Sequence, residues 1–93
     1  MEIEFDQRKS AKNGVDRGLP FELVATLEWN RAFVSIDRRR DYAEDRLIAL
    51  VPMNGRLHVV RYVVRGEKRR VVSFRKANKR EERAYAEATT TGK

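Results

Sequence analysis

The sequence predicts an α+β fold, with a mostly antiparallel sheet of four to five strands, two N-terminal helices and one C-terminal helix. The dipeptide Asn54-Gly55 is a strong signal for a two-residue hairpin turn between strand-like apolar runs. A second hairpin is expected between residues 57–64 and 71–74, which are rich in β-branched and aromatic side chains. Asn78 followed by Glu81 is a capping-box pattern, which predicts a helix directly after the last strand.

The N-terminal segment predicts a strand followed by a helix. Residues 2–5 alternate between charged and apolar side chains, as in a short half-buried strand. Asp6 can then cap a helix, because its carboxylate can accept hydrogen bonds from the first free backbone amides. The helix has two possible ends, Asn13-Gly14 and Arg17-Gly18, since Gly and Asn adopt the left-handed conformation that terminates helices.

The middle of the chain predicts a second helix and two further strands. Pro20 suits the first turn of a helix, and the apolar spacing after it is amphipathic up to about residues 29–30. Residues 32–36 and 47–51 are strand-like, and a polar loop over residues 37–45 separates them. These elements, with the two hairpins and the last helix, complete the predicted order.

The charge distribution indicates a polyanionic partner. The 93 residues carry a formal net charge of +7, and the pI is near 10.2. Residues 56–83 contain 11 Lys and Arg against 3 Asp and Glu, so nearly all the excess charge lies in the second hairpin and the last helix. Such a surface binds phosphates by releasing their counterions; the plainer alternative is a solvated basic face.

Composition also limits the chemistry that the chain can perform. There is no cysteine, which excludes disulfides and thiolate metal sites, and the only histidine, His58, forms no cluster of metal ligands. No apolar run approaches the ~20 residues of a membrane-spanning helix, and the N-terminus lacks the apolar core of a secretory signal. We therefore expect a single cytoplasmic domain over residues 1–93, with a polar tail from about residue 89 and without a metal, cofactor or membrane partner.

Strand register assigns different side chains to the two faces of the sheet. A two-residue turn at Asn54-Gly55 places Met53 opposite Arg56, and a three-residue second turn places Arg65 opposite Arg69. One face is then apolar enough to be covered by helices, and it holds Leu47, Ala49, Val51, His58, Val60, Tyr62, Val64, Val72 and Phe74. The other face holds Arg46, Ile48, Leu50, Arg61, Val63, Arg65, Ser73 and Arg75. A two-residue second turn is the alternative, and it would reverse the faces of the last strand.

The arginines of the second face suit a phosphate backbone, because planar guanidinium groups pair with phosphate oxygens in a fork. RNA can be cleaved without a metal if a base removes the proton of the 2′-hydroxyl and cations stabilise the phosphorane. Glu44, Glu81 and Tyr85 are the available proton-transfer groups. Each has an alternative: Glu81 can be a capping residue, Tyr85 can be packed, and the arginines can pair with carboxylates of the loop.

The order of several short motifs resembles the BrnT toxins of bacterial toxin-antitoxin pairs, which are small ribonucleases with a RelE-like fold. The residues that resemble the opening of that family and the start of its second helix are Phe5-Asp6, Lys9, Asn13, Gly18 and Phe21-Glu22. Those that resemble its Y-G-E-x-R element are Tyr42, Glu44 and Arg46. The C-terminal part is similar to R…R-I-I-S-A-R-x-A-x-x-x-E-x-x-x-Y, through Arg65, Arg70-Val71-Val72-Ser73-Phe74-Arg75, Ala77, Glu81 and Tyr85.

The chain departs from the family pattern in three places. The family usually carries Lys-His before the glycine, where this chain has Asp16-Arg17, so an imidazole is lost there. Ala43 replaces the loop glycine, and Phe74 replaces a small residue.

The resemblance implies a RelE-like α+β domain that cleaves RNA and halts translation. It also implies a BrnA-like antitoxin that supplies the ribbon-helix-helix part, so that operator DNA is reached only through the antitoxin. The expected catalytic residues are Arg46, Arg65, Arg75, Glu44 and Tyr85. The expected RNA-binding residues are Lys9, Arg61, Arg70, Ser73, Lys76, Lys79 and Arg80. The alternative function is a non-catalytic, toxin-like subunit that binds nucleic acid or an antitoxin, and the lost Lys-His pair favours it.

An acidic antitoxin segment is predicted to dock on the second face, beside Arg61, Arg65 and Arg75, because carboxylates compete directly with phosphate for arginine. The alternative is an antitoxin that covers a helix or a sheet edge and leaves the arginines in contact with water.

Overall fold

The computed structural model describes residues 1–38 and 44–90, and in these residues the fold is α+β, as predicted. The strands are β1 (Glu2–Glu4), β2 (Phe33–Ile36), β3 (Leu47–Met53), β4 (Arg56–Arg65) and β5 (Lys68–Lys76). The α-helices are α1 (Gln7–Arg17) and α2 (Lys79–Thr90). The five described strands form one mixed sheet in the order β1-β5-β4-β3-β2, in which β1 is parallel to β5 and the other neighbours are antiparallel. Tyr42, Ala43 and most of the predicted polar loop lie outside the described residues.

Helix α1 begins and ends where the local sequence allows. The Asp6 carboxylate accepts hydrogen bonds from the backbone amides of Arg8 (2.8 Å) and Lys9 (3.2 Å). Of the two possible ends, the helix uses Gly18, which has a φ of 68°. The Asn13 side chain donates to the Phe74 carbonyl at 2.9 Å, so α1 is tied to strand β5.

The predicted second α-helix is wrong. The segment forms two short 3₁₀-helices instead, Phe21–Thr26 and Trp29–Arg31. Phe21, Val24 and Leu27 are at most 5% exposed and are spaced by three residues. That spacing matches the three residues per turn of a 3₁₀-helix, which places all three side chains above the sheet.

The first hairpin has the predicted turn and register. Asn54 and Gly55 have φ values of 53° and 79°, and positive values at both central positions are typical of the type I′ turn. Met53 lies opposite Arg56 and Leu50 opposite Val59, as expected.

The predicted three-residue turn of the second hairpin is wrong. Arg65 lies opposite Lys68 rather than Arg69, so the turn has two residues, and it begins with Gly66 at a φ of 63°. A register shift follows, because Tyr62 pairs with Val71 while Arg61 pairs with Ser73, which leaves Val72 as the extra residue of a β-bulge.

The bulge explains which face assignments are correct. On the side of the bulge away from the turn, Arg61 still lies opposite Ser73 and Phe74 is fully buried, as predicted. Between the turn and the bulge, Val71 takes the buried position that was assigned to Val72, and Val64 is 43% exposed instead of covered.

The main core lies between the sheet and the N-terminal elements. Its buried members are Leu19, Phe21, Val24, Leu27, Ala49, Val51, Val60, Tyr62, Val71 and Phe74. His58 is buried against the Phe74 ring, with centroids 5.5 Å apart, so it is a packed residue. The Arg69 guanidinium lies 3.7 Å from the centroid of the Trp29 ring, which packs against this core, and it covers the ring by a cation–π contact.

The opposite face of the sheet carries Arg61, Arg65 and Arg75 and is called here the arginine face. Helix α2 covers it only in part. A second apolar cluster lies there, with Leu50, Leu57, Val59 and Ala77 buried and Ile48 and Tyr85 packed against them. None of the described helices is long and apolar enough to cross a membrane.

Candidate nucleic-acid interface

A cleft of about 260 Å³ opens on the arginine face beside the first turn of α1. Its charged lining residues are Asp6, Lys9, Glu44, Arg46, Arg65 and Arg70, and its apolar ones are Val63, Val71 and Val72. The four cations come from four separate places: α1, the segment before β3, the end of β4, and β5. The parallel pairing of β1 with β5 brings the start of α1 to this position.

An exposed ion pair in the cleft joins Arg65 to Glu44. The Arg65 Nη2 to Glu44 Oε1 distance is 2.8 Å, and about half of each side chain is exposed. The hydrogen bond to Glu44 raises the pKa of Arg65, so the guanidinium stays charged. Water screens such a pair, and an incoming phosphate can therefore compete with the carboxylate for the guanidinium.

Two other acids near the cleft have structural roles. Glu4 lies 3.4 Å from the Arg70 guanidinium and links β1 to β5. Asp6 caps α1, and the backbone amides of Lys9 and Arg8 are the main cause of its lowered pKa. Asp6 is therefore an ionised capping group, which makes it a poor choice for a catalytic base.

A second group of charges lies on the same face toward α2. Arg75 donates two hydrogen bonds to the Glu81 carboxylate, at 2.9 and 2.7 Å. Arg61 lies 3.5 Å from Asp37, whose side chain is completely buried. Arg75 is the main cause of the lowered pKa of Glu81, and the charge of Arg61 contributes.

Glu81 forms the predicted capping box as well. Its carboxylate accepts from the Asn78 backbone amide, and its own amide donates to the Asn78 side chain, both at 2.8 Å. Tyr85, two turns of helix from Asn78, donates its hydroxyl to the Arg31 carbonyl at 2.7 Å. Glu81 and Tyr85 therefore each have a structural role: Glu81 caps α2, and Tyr85 ties α2 to the segment before β2.

Residues 5–81 match the sequence profile of a family described as ribonuclease toxin, BrnT, of type II toxin-antitoxin system. The chain belongs to the BrnT family. A comparison with curated proteins gives no match. The matched region includes every residue that lines the cleft but not Tyr85. Membership indicates a ribonuclease toxin, with RNA as the substrate class and an antitoxin as a partner.

In this BrnT-family chain, the structure divides the predicted site residues into separate groups. Those in the cleft are Glu44, Arg46, Arg65, Lys9 and Arg70. Arg61, Arg75 and Tyr85 lie toward α2, and Lys76, Lys79 and Arg80 are exposed outside the cleft. Ser73 lines an adjoining groove that also includes Lys9, and its buried hydroxyl has no hydrogen-bond partner in the part of the chain that the structure describes.

Asp37 and Glu44 confirm the alternative that arginines pair with carboxylates of the loop, through Arg61 and Arg65, but the sequence did not indicate which arginine Asp37 would meet. The Asp37 backbone amide donates to the Arg46 carbonyl at 2.7 Å, and its carboxylate pairs with Arg61, so it connects both groups of cations. The sequence shows Asp37 only as the first residue of a polar loop, and its role depends on the order β2-β3-β4. In residues 1–38 and 44–90, no three carboxylate or imidazole side chains form a cluster that could hold a metal ion.

Asp16 and Arg17, which stand where the family usually carries Lys-His, make contacts away from the cleft. Asp16 pairs with Lys12 at 2.7 Å, and Arg17 donates to the Phe74 carbonyl at 3.3 Å. Both residues lie on the last turn of α1, whereas the cleft meets the first turn through Asp6 and Lys9.

Proposed function

We propose that this protein is an endoribonuclease toxin that cleaves RNA in the cytoplasm without a metal and thereby inhibits translation, using the cleft as its active site. The observation that carries the proposal is the half-exposed Arg65–Glu44 pair among three further cations. The proposal includes a RelE-like relationship of the fold. It also includes a BrnA-like antitoxin, whose ribbon-helix-helix part would make the contact with operator DNA.

Substrate binding would begin with the cations of the cleft. A phosphodiester entering between Arg46, Arg65 and Arg70 meets guanidinium groups that can pair with its oxygens in a fork. The cleft is small compared with the ~300–1,000 Å³ pockets that enclose drug-sized ligands. It therefore suits a backbone phosphate, with the bases lying outside on the arginine face.

Binding would also release the base. When a phosphate oxygen takes the place of Glu44 on Arg65, the Glu44 carboxylate is free to accept the proton of the neighbouring 2′-hydroxyl. The 2′-oxygen then attacks phosphorus, the bond to the 5′-oxygen breaks, and the 5′-oxygen takes up a proton from water. The products are a 2′,3′-cyclic phosphate and a 5′-hydroxyl. Arg65 and Arg46 would stabilise the additional negative charge of the phosphorane.

The charges toward α2 would serve binding rather than proton transfer. Arg61 and Arg75 are held by Asp37 and Glu81, and they extend the basic surface along the sheet. Lys76, Lys79 and Arg80 would continue that surface beyond β5. The hydrogen bond from Tyr85 to the Arg31 carbonyl supports a packing role for Tyr85.

The test is RNA cleavage by the purified protein in EDTA. We expect Arg65→Ala to abolish cleavage and Arg75→Ala to weaken RNA binding, with both variants folded. Arg56→Ala is the matched control, because Arg56 is similarly exposed and has its own acidic partner, Glu82. It stands at the opposite end of β4, roughly 30 Å from Arg65 at ~3.3 Å per residue. Cleavage by Arg65→Ala at the rate of the Arg56→Ala control would refute the assignment.

Growth after induced expression separates this proposal from a non-catalytic role. An active toxin stops growth, and Arg65→Ala restores it. Folded protein that binds RNA in EDTA but neither cleaves it nor slows growth would favour the non-catalytic subunit.

A further inference from the structure

Strand β2 is an apolar edge of the sheet. It is the last strand in the order β1-β5-β4-β3-β2, and all four of its residues are exposed. Phe33, Val34 and Ile36 are 42–44% exposed, whereas the other large exposed apolar residues of the described ranges, Met1, Val15 and Val64, are scattered. Three such side chains in four consecutive residues of an edge strand are a ready site for another strand.

The opposite edge of the same sheet is protected. Strand β1 has only three residues, and two of them are glutamates that lie within 4.0 Å of Lys68 and Arg70 on β5. Charged side chains and short length are the usual means of preventing edge-to-edge pairing. Strand β2 itself contains no charged residue and no proline.

The register identifies which backbone groups of β2 face outward. The Asp37 amide donates to the Arg46 carbonyl, and Phe33 to Ile36 continue the same antiparallel register against β3. Since hydrogen-bonded pairs alternate, Phe33 and Ser35 direct their backbone groups toward β3. The N–H and C=O groups of Val34 and Ile36 therefore point away from the sheet.

We propose that β2 is the docking strand for an extended segment of the antitoxin, which adds to the sheet beside β2. The identity of this occupant rests on the proposed function; the geometry of the edge does not. The segment would donate and accept hydrogen bonds at Val34 and Ile36, and its apolar side chains would cover Phe33 on one face and Val34 and Ile36 on the other. An acidic residue at one end would meet Arg38, which is exposed just after β2. At the other end, a second acidic residue would exchange with Glu28 on Arg31, whose exposed pair has a distance of 2.8 Å.

Charge favours an acidic partner over a second copy of this chain. Each copy carries a net charge of +7, and the cations flanking β2 would add to the repulsion between two copies. The edge is also a better anchor than the arginine face. There, an antitoxin carboxylate would have to displace the acidic partner that Arg61, Arg65, Arg70 or Arg75 already has within the chain. No described strand pairs with the outward backbone groups of β2.

The first experiment is amide hydrogen exchange of the full-length toxin, alone and bound to its co-expressed antitoxin. We expect the Val34 and Ile36 amides to exchange rapidly in the free toxin and slowly in the complex. The Ser35 amide, which faces β3, should be protected in both. Rapid exchange of Val34 and Ile36 in the complex would overturn the proposal.

The second experiment removes one outward donor. Val34→Pro deletes an N–H that makes no bond to β3, so the edge should tolerate it. Antitoxin affinity should fall about 10- to 100-fold, the effect of leaving a buried acceptor without its donor. Val34→Ile is the control, since it keeps the amide and the apolar side chain and should bind as the unmodified toxin does.

The outcomes distinguish this inference from the proposed function. Val34→Pro should cleave RNA in EDTA as the unmodified toxin does, which also shows that it is folded. Equal antitoxin affinity of Val34→Pro and Val34→Ile would refute strand addition even if RNA is cleaved. Loss of antitoxin binding in Val34→Pro would support the edge even if the unmodified toxin does not cleave RNA, provided that the variant has the circular-dichroism spectrum and cooperative unfolding of Val34→Ile. A dimer of the free toxin that Val34→Pro dissociates would assign the edge to a second copy and overturn the antitoxin as its occupant.

Discussion

Glu81 is expected to stabilise the fold without acting as the catalytic base, and two substitutions separate its contributions. Glu81→Gln keeps an oxygen that can accept from the Asn78 amide, so the capping box survives while the charge is lost. Glu81→Ala removes both the capping contact and the paired hydrogen bonds from Arg75.

The structure sets the size of these effects. The Arg75 and Glu81 side chains are 29% and 22% exposed, so their pair is partly screened and should contribute about 0.5–1 kcal/mol. The capping contact should contribute about 0.5–1.5 kcal/mol as a single net hydrogen bond. Glu81→Ala should therefore lower the free energy of unfolding by about 1–2.5 kcal/mol, and Glu81→Gln by at most about 1 kcal/mol. At ~4–8 °C per kcal/mol for a domain of this size, the melting temperatures should differ measurably.

The pH dependence provides an independent check. Because Arg75 holds the pKa of Glu81 below its ordinary value of 4.5, the unfolded chain takes up the proton first as the pH falls. The contribution of Glu81 is therefore complete above pH 4.5 and is lost as the pH falls through the lower, folded pKa. Urea unfolding at several pH values should show this loss in the unmodified protein and not in Glu81→Gln.

RNA cleavage decides whether this structural role is the whole role of Glu81. Glu81→Gln should cleave RNA at nearly the unmodified rate, since the carboxylate is occupied by Arg75 and the helix cap. A loss of cleavage as large as that of Glu44→Gln, with the fold intact, would refute the reasoning and make Glu81 a candidate base.

Three further predictions concern the cleft, the core and the basic surface. Glu44→Gln should lower the rate of RNA cleavage about 10²- to 10⁴-fold, the usual contribution of a general base, while RNA affinity measured by fluorescence anisotropy changes little. Burial lowers the pKa of His58 from 6.5, so the unfolded chain protonates first and stability should decline as the pH falls below 6.5; urea unfolding of His58→Phe should lack that decline. If four to six phosphates are contacted, log affinity for single-stranded RNA should fall with log salt at a slope of roughly −3 to −4, and a flat response in titrations would contradict electrostatic contact.

Local signals predicted the parts of the fold that depend on neighbouring residues. Asn54-Gly55 determined both the first turn and the register of β3 with β4, because few residues adopt positive φ values at two successive positions. Asp6 and the Asn78–Glu81 capping box located the starts of the two α-helices in the same way. Each of these signals acts within a few residues of the chain.

The second hairpin differs from the prediction in two features that offset each other. The turn at Gly66 is one residue shorter than expected, and the bulge at Val72 restores the expected register beyond it. Val71 and Val72 are both apolar, so the alternation of side chains could not show which one the core would take. Similarly, the spacing of three between Phe21 and Val24 fits a 3₁₀-helix, and amphipathic spacing alone did not exclude an α-helix.

The membership of the cleft depends on pairings between distant segments. The sequence predicted Glu44, Arg46 and Arg65 as site residues through motif order, and the structure brings them together. Lys9 and Arg70, predicted only as RNA-binding residues, join them in the cleft. No signal in the sequence indicated that Asp6 would lie there, because this depends on β1 pairing in parallel with β5 across more than 60 residues. The pair of Glu4 with Arg70 was missed for the same reason.

The chemical ends of the cleaved RNA provide the most direct test of the central claim, which is cleavage through the 2′-hydroxyl by groups of the protein alone. Purified protein in EDTA should convert an RNA oligonucleotide into fragments that carry 2′,3′-cyclic phosphate and 5′-hydroxyl ends. It should leave the bond intact where the adjacent nucleotide is 2′-deoxy. Fragments with 3′-hydroxyl and 5′-phosphate ends, or cleavage at the 2′-deoxy position, would contradict the account.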